Sequence, residues 1–307
     1  MHDVLILSLV DGGACSQRVP VLHCSDALRA TGATVTTVAA ASDAEIDEVL
    51  ARFDDPARAD GLTWPATSSS VRLIAAVENA GQLRHILRRL VRRYAAPGSK
   101  RPADLPDGRT IPDLPPLGIL PLADLEFIGQ LDLPSTPADV AAAVTAGTVQ
   151  RLDLLRHDGG SVTLDGVLLG EAGEGDVPVP WQGRIEVDDV VLSSGNDHIV
   201  ALAIANGHGT ATLDGLPLIT AADPADGLID VAIAVPVVHK PLLGRQRMRY
   251  EVRRARGRAV AVTPHATELP FIDDTIPGAL TRKRSWWIEP GAWSVYTATG
   301  RRNDPNV

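Results

Sequence analysis

The apolar positions of this chain fall into two successive rhythms. In the first, short continuous apolar runs alternate with stretches of helical spacing. Val4–Leu9, Ala33–Val38, Val71–Val77 and Leu117–Leu122 read as strands buried on both faces, the parallel-sheet type. Asp11-Gly12-Gly13 is a turn after the first of them. Arg18–Thr31 reads as a helix stopped by Gly32. Ser42-Asp43-Ala44-Glu45 has the form of a capping box and opens a helix that runs to about Phe53. Gln82–Tyr94 is a third helix, and Pro97–Pro116, rich in Pro, Gly and charge, is a loop. Alternating strands and helices predict a doubly wound α/β domain.

The second rhythm starts near Gly147. Short strands are punctuated by Gly, Asp and Pro: Val149–Leu155, Ser161–Leu169, Gly183–Val191, His198–Ala205, Leu228–Val235, Arg258–Pro264 and Trp293–Thr297. This spacing predicts an all-β, sandwich-like second domain. Lys240–Arg254 reads as the one helix of that half. The expected division is 1–122 for the α/β domain, 123–299 for the β-sandwich and 300–307 for a tail. No repeat of 20–50 residues points to a solenoid.

Composition narrows the function classes. The chain has 307 residues, 45% hydrophobic and 22% charged, ample for two cores. A net charge of −9 offers no general field for nucleic-acid phosphates, so no nucleic-acid partner is expected. No apolar run is long enough for a membrane helix. Met-His-Asp leads straight into a strand without a basic leader, so the protein is read as cytoplasmic, with a peripheral membrane association open. Cys15 and Cys24 fit no zinc spacing and are read as two free thiols. The histidines are scattered, with no pair three or four apart, so no metal site is expected. His208, beside Asn206-Gly207, is read as a loop residue.

Two surface features stand out. On the third helix Leu83, Ile86, Leu87, Leu90, Val91 and Tyr94 share one face. Arg84, His85, Arg88, Arg89, Arg92 and Arg93 lie off it. The ordinary reading is a sheet-covering helix with a solvated basic face. The functional reading is an arginine face (Arg84, Arg88, Arg89, Arg92, Arg93) for anionic lipid headgroups, an acidic partner or nucleic-acid phosphates, with lipid preferred. Arg282-Lys283-Arg284 precedes Trp286-Trp287, which reads as a strand with one Trp buried, or as a membrane or protein contact. There is no G-x-S-x-G elbow, Walker loop or G-x-G-x-x-G. Gly170–Asp176 (GEAGEGD) is glycine-rich but acidic and reads as a flexible loop, and Gly195-Asn196-Asp197 as a hairpin turn.

Several ordered segments carry a resemblance. Pro115–Pro134 (PPLGILPLADLEFIGQLDLP) resembles the segment of the diacylglycerol kinase family, which includes sphingosine kinases, that continues PLGTGNDFAR. Pro137–Asp153 resembles that family's helix, glycine turn and strand. Ala205-Asn206-Gly207, Leu218–Val231 and Pro290-Gly291-Ala292 resemble three of its second-domain blocks. The resemblance implies an α/β kinase-like domain, a β-sandwich and a cleft between them. It also implies transfer of a phosphoryl group from ATP, with Mg²⁺, to a lipid hydroxyl, which depends on positioning and charge neutralisation.

The family's three catalytic motifs are degenerate here. Its GGDGT loop falls on Glu78-Asn79-Ala80-Gly81-Gln82, where only Gly81 is kept and Ala80 stands in the acidic place. Its GTGND loop falls on Ala123-Asp124-Leu125-Glu126-Phe127, with added negative charge. Its DGE motif falls on Asp273-Asp274-Thr275, which keeps an aspartate and loses the glutamate. The expectation is a divergent protein without phosphotransfer activity that binds a lipid or a protein partner. The alternative is an active ATP-dependent lipid kinase that uses Asp273, Asp274 and Gly81. A third class, altered chemistry through Asp124 and Glu126, has no positive support.

Overall fold

The computed structural model describes residues 2–10, 18–66, 70–97, 101–173, 177–207, 211–213, 215–220, 222–239, 247–265 and 268–298. The expected turn at Asp11–Gly13, Cys15, the end of the acidic glycine loop at Glu174–Asp176, His208, Lys240–Gln246 and the tail lie outside the described residues.

The chain forms two compact units. The first takes residues up to Leu152 and again from Gly291, and the second takes Asp153–Pro290. In the first, β1 (Asp3–Leu9), α1 (Val19–Ala30), β2 (Thr34–Ala40), α2 (Asp43–Leu50, then a 3-10 turn), β3 (Val71–Val77), α3 (Ala80–Tyr94), β4 (Leu117–Pro121), α4 (Glu126–Gln130) and α5 (Pro137–Ala146) follow in order. The sheet runs β2-β1-β3-β4, all parallel. The strands are apolar throughout because helices cover both faces, α1 packing with α5 and α2 with α3. Val4, Ile6, Ile74 and Leu120 meet Val21, Cys24 and Leu28 of α1 and Val140 and Val144 of α5 in one buried cluster. α5 is capped by Thr136, whose hydroxyl accepts from the Asp139 N–H, and ends at Gly147 with φ 75°. Gly118 lies beneath it, and a Cβ there would come within 2.7 Å of Val144. Gly118, inside β4, is therefore a packing residue.

Burial pushes the Cys24 thiol up to about 12. At pH 8 its thiolate is then about one part in ten thousand. In a Cys15→Ser chain, a thiol reagent is expected to leave Cys24 unmodified until the protein unfolds; labelling of the native protein within minutes would contradict this.

The expected division at 122/123 differs from the observed one for two physical reasons. Ile128 and α5 bury apolar side chains in the first unit. The last long strand, β20 (Arg284–Tyr296), returns there, with Val295 pairing parallel to Leu117 and Ala292 C=O accepting from the Leu114 N–H.

The second unit is all antiparallel β. Its strands are β5 (Val149–His157, entering from the first unit), β6 (Ser161–Thr163), β7 (Gly166–Leu169), β8 (Glu171–Ala172), β9 (Pro178–Val179), β10 (Gly183–Val187), β11 (Val190–Ser194) and β12 (Ala201–Ala205). There follow β13 (Thr212–Leu213), β14 (Leu216–Pro217), β15 (Ile229–His239), β16 (Arg247–Gly257), β17 (Ala259–Pro264), β18 (Leu269–Asp273), β19 (Ile276–Leu280) and β20. One sheet runs β16-β15-β12-β7-β18-β19 and another holds β11-β10-β17-β20. Their facing side chains, among them Leu169, Ile204, Ile233, Ile185, Val262 and Trp286, fill a common core. This is the sandwich that the second rhythm predicts.

Three local readings are corrected. Lys240–Arg254 is not a helix where it is described: Arg247–Gly257 pairs residue for residue with Ile229–His239. The arginines suit either state, and an eleven-residue partner strand decided it. Ser161–Leu169 breaks at Leu164-Asp165, and Gly183–Val191 breaks at Asp188, whose φ is 45°.

Candidate functional site

Parallel sheets bind ligands beyond the carboxyl ends of their strands, so the β3–α3 and β4–α4 connections come first. Only Glu78 and Asn79 separate β3 from α3. Asn79 is the N-cap, its Oδ1 accepting from the Gln82 N–H at 3.0 Å. Gln82 reaches back, its Oε1 accepting from the Glu78 N–H at 2.8 Å. Glu78 forms an ion pair with Arg18. A Cβ on Gly81 would sit 3.1 Å from Asn79 Oδ1, so this glycine makes room for the cap. Ala80 carries neither charge nor donor on its side chain. The helix terminus that would offer N–H groups to a phosphate is thus capped by its own side chains, with a carboxylate standing beside it.

At the end of β4, Leu122 N–H donates to Val77 C=O at 2.8 Å, and then Ala123 and Asp124 are exposed. α4 is one short turn whose N-cap, Leu125, makes no side-chain cap bond. Glu126 accepts from Gln130 Nε2 at 3.0 Å. Nothing here supplies a glycine-rich backbone cradle.

Asp273 and Asp274 lie in the second unit, at the β18–β19 hairpin. Asp273 is 3% exposed and accepts from Thr163 Oγ1 at 2.7 Å. His157, also buried, has Nε2 3.6 Å from Asp273 Oδ2, while its Nδ1 accepts from the Gly159 N–H at 2.9 Å. Asp274 adopts φ 55° and accepts from the N–H groups of Leu164 (3.0 Å), Asp165 (2.9 Å) and Gly166 (3.2 Å). Its own N–H donates to Gly166 C=O at 2.8 Å. The two carboxylates tie this hairpin to the β6–β7 turn, and Thr275 is exposed. Sequence reading missed Thr163 and His157 as partners, because only the folded sheet brings residues 110 or more positions apart together.

The basic helix face is divided. Its apolar side is as expected: Leu83, Ile86, Leu87, Leu90, Val91 and Tyr94 are buried. Arg84 is buried too. Arg89 bonds Asp47 at 2.9 Å and Asp43 at 2.6 Å, and Arg93 bonds Asp54 at 2.6 Å. Only Arg88 and Arg92 of the five arginines are exposed. Trp286 is 1% exposed, inside the sandwich core. Trp287 donates to Glu289 at 3.0 Å and lies 5.2 Å from the Arg156 guanidinium.

A cavity of about 110 Å³ opens between His2, Val4, Gly32, Ala33, Arg72 and Thr145. These are the starts of β1, β2 and β3, the opposite end of the strands, and a nucleotide-sized site needs roughly 300 Å³ or more. Among the described residues, no three His, Cys, Asp or Glu side chains converge as a metal site. No helix among them is long and apolar enough to cross a membrane.

No family model matches the chain, and no curated protein matches it. Solved structures do. A diacylglycerol kinase from Bacillus anthracis str. Sterne superposes with a TM-score of 0.59 at 14% identity, over 96% of this chain and 97% of that one. An NAD kinase from Archaeoglobus fulgidus, solved with ATP, gives 0.50 at 11% identity, over 97% and 94%. At such identities the likeness concerns the fold.

Proposed function

We propose that this chain, which has the two-part fold of a diacylglycerol kinase, no longer transfers phosphate and acts by binding. The observation that carries the reading is the closed start of α3. Asn79 Oδ1 takes the Gln82 N–H, Gln82 Oε1 takes the Glu78 N–H, and Glu78 places a carboxylate, paired with Arg18, where a phosphate would approach. A phosphate there would meet like charge and engaged donors. Asp273 and Asp274 support the same reading, since their oxygens are taken up by the sheet. Purified protein, incubated with labelled Mg²⁺–ATP and diacylglycerol in mixed micelles, is expected to yield no labelled lipid above a no-enzyme blank. Turnover lost on Asp273→Asn would instead establish the second reading, an atypical lipid kinase, which the name of the Bacillus anthracis protein favours.

The surface proposed for binding is the outer side of α3, and its partner an anionic lipid headgroup layer. Arg88 and Arg92 lie one turn apart on it. Near such a surface each basic residue contributes about 1 kcal/mol at low salt. Reversing both charges, Arg88→Glu plus Arg92→Glu, is expected to weaken binding to phosphatidylglycerol vesicles more than about tenfold. Unchanged sedimentation with the vesicles would leave this helix face as solvated surface and direct the search to a protein partner.

A further inference from the structure

The loop before β4 buries a guanidinium whose fork meets no acceptor. From Arg101 to Pro116 the chain forms no helix or strand, and Leu105, Ile111, Pro112 and Leu114 are buried. Arg109 stands among them with its side chain 3% exposed. Its backbone N–H donates to Pro106 C=O at 3.2 Å, and its C=O accepts from Arg101 Nε at 2.8 Å, so its position in the loop is fixed from both sides. Asp104 ties the same loop to Arg58 at 3.0 Å. At Nη1, Arg109 meets the Asp113 carboxylate. Asp113 accepts from Arg151 as well, its Oδ2 taking Nη1 at 3.0 Å, and Arg151 also donates to Gly291 C=O at 2.7 Å. Two guanidinium charges therefore share one carboxylate.

The other edge of Arg109 is different. Nε and Nη2 are buried, and neither has a hydrogen-bond partner among the described residues. The N–H bonds of this edge run parallel, the geometry that grips two oxygens of one carboxylate or phosphate. A buried charge with unused donors is costly, because nothing repays its lost hydration. Water would satisfy the donors and leave the excess positive charge. An oxyanion satisfies the donors and cancels the charge. We propose that Arg109 holds a small oxyanion, a carboxylate or a phosphate, side-on through Nε and Nη2. The apolar neighbours lower the local dielectric and strengthen both bonds. The same burial suits a free ion and not a phosphate carried on a nucleotide.

Equilibrium dialysis of the full chain against labelled inorganic phosphate, and separately against labelled acetate, tests this in chloride buffer at constant ionic strength. One site per chain is expected, with a dissociation constant below about 1 mM for at least one of the two ions. The tighter ion identifies the class. Arg109→Met removes the fork and the charge, and is expected to weaken binding more than about tenfold. In chloride alone that variant should melt no lower than the wild type, since it exchanges an underpaired buried charge for an apolar chain. If it does not fold, Arg109→Lys, which keeps the charge without the fork, is expected to weaken binding to a similar extent. A wild type that binds neither ion saturably overturns the inference and leaves water as the acceptor of the fork. Binding that persists unchanged in a folded Arg109 variant overturns it equally.

Discussion

Replacing Asp274 with alanine is expected to lower the stability of the β-rich unit by about 3 kcal/mol, because three backbone N–H groups lose one shared charged acceptor. The carboxylate holds Leu164, Asp165 and Gly166 in the β6–β7 turn. Asp274 also sits at φ 55°, where alanine is strained and asparagine is tolerated. Asp274→Asn keeps one acceptor oxygen and the backbone preference, so its loss should be about half as large. Urea unfolding followed by tryptophan fluorescence reads both, since Trp181 and Trp286 are buried in this unit. An Asp274→Ala chain with a wild-type midpoint would free this residue from its structural role and reopen a catalytic one.

Removing Glu289 should be costlier. Its side chain has no exposure, and it accepts from Arg156 Nη1 at 2.8 Å and from Trp287 Nε1 at 3.0 Å. Arg156 is itself 13% exposed, so Glu289→Ala strands a guanidinium away from most of its water. Breaking such a pair costs about 3–5 kcal/mol, whereas replacing both partners with apolar groups is often close to neutral. Glu289→Ala is therefore expected to unfold the β-rich unit at markedly lower urea. Glu289→Met plus Arg156→Met should recover most of the loss. A double variant no better than the single one would mean that the carboxylate acts through something other than its charge pairing.

The parallel half was readable because its evidence is local. Continuous apolar runs such as Val71–Val77, the Ser42 cap and the Gly32 and Gly147 stops each act within a few residues. The strands of the second half were readable as strands, but not where they turn. The breaks at Leu164-Asp165 and Asp188 depend on partners far along the chain: Asp274 anchors the first, and the Ala259 N–H donates to Asp188 in the second. β16 was missed because an arginine-rich segment has no strong preference of its own, and its ladder with β15 is a tertiary fact.

The site was legible in what it lacks and not in what replaced it. The changed residues at 78–82 and 123–127 are visible in the sequence. That Asn79 caps the Gln82 N–H while Gln82 reaches back to the Glu78 N–H, or that Glu78 meets Arg18 sixty residues away, is visible only in the fold. The basic helix shows the same limit. Helical spacing placed its arginines off the apolar face, but Asp43, Asp47 and Asp54 neutralise two of them from a neighbouring segment.

The central claim is that the start of α3 is closed to nucleotide, and thermal unfolding with millimolar Mg²⁺–ATP tests it most directly. A protein that binds nucleotide at a hundredth of its concentration gains about 2.7 kcal/mol, or several degrees. An active lipid kinase run alongside should show such a gain. This chain is expected to melt at the same temperature with and without Mg²⁺–ATP. A Mg²⁺-dependent rise of several degrees would contradict this and place nucleotide beside Glu78, Asn79 and Gln82, where the proposed reading excludes it.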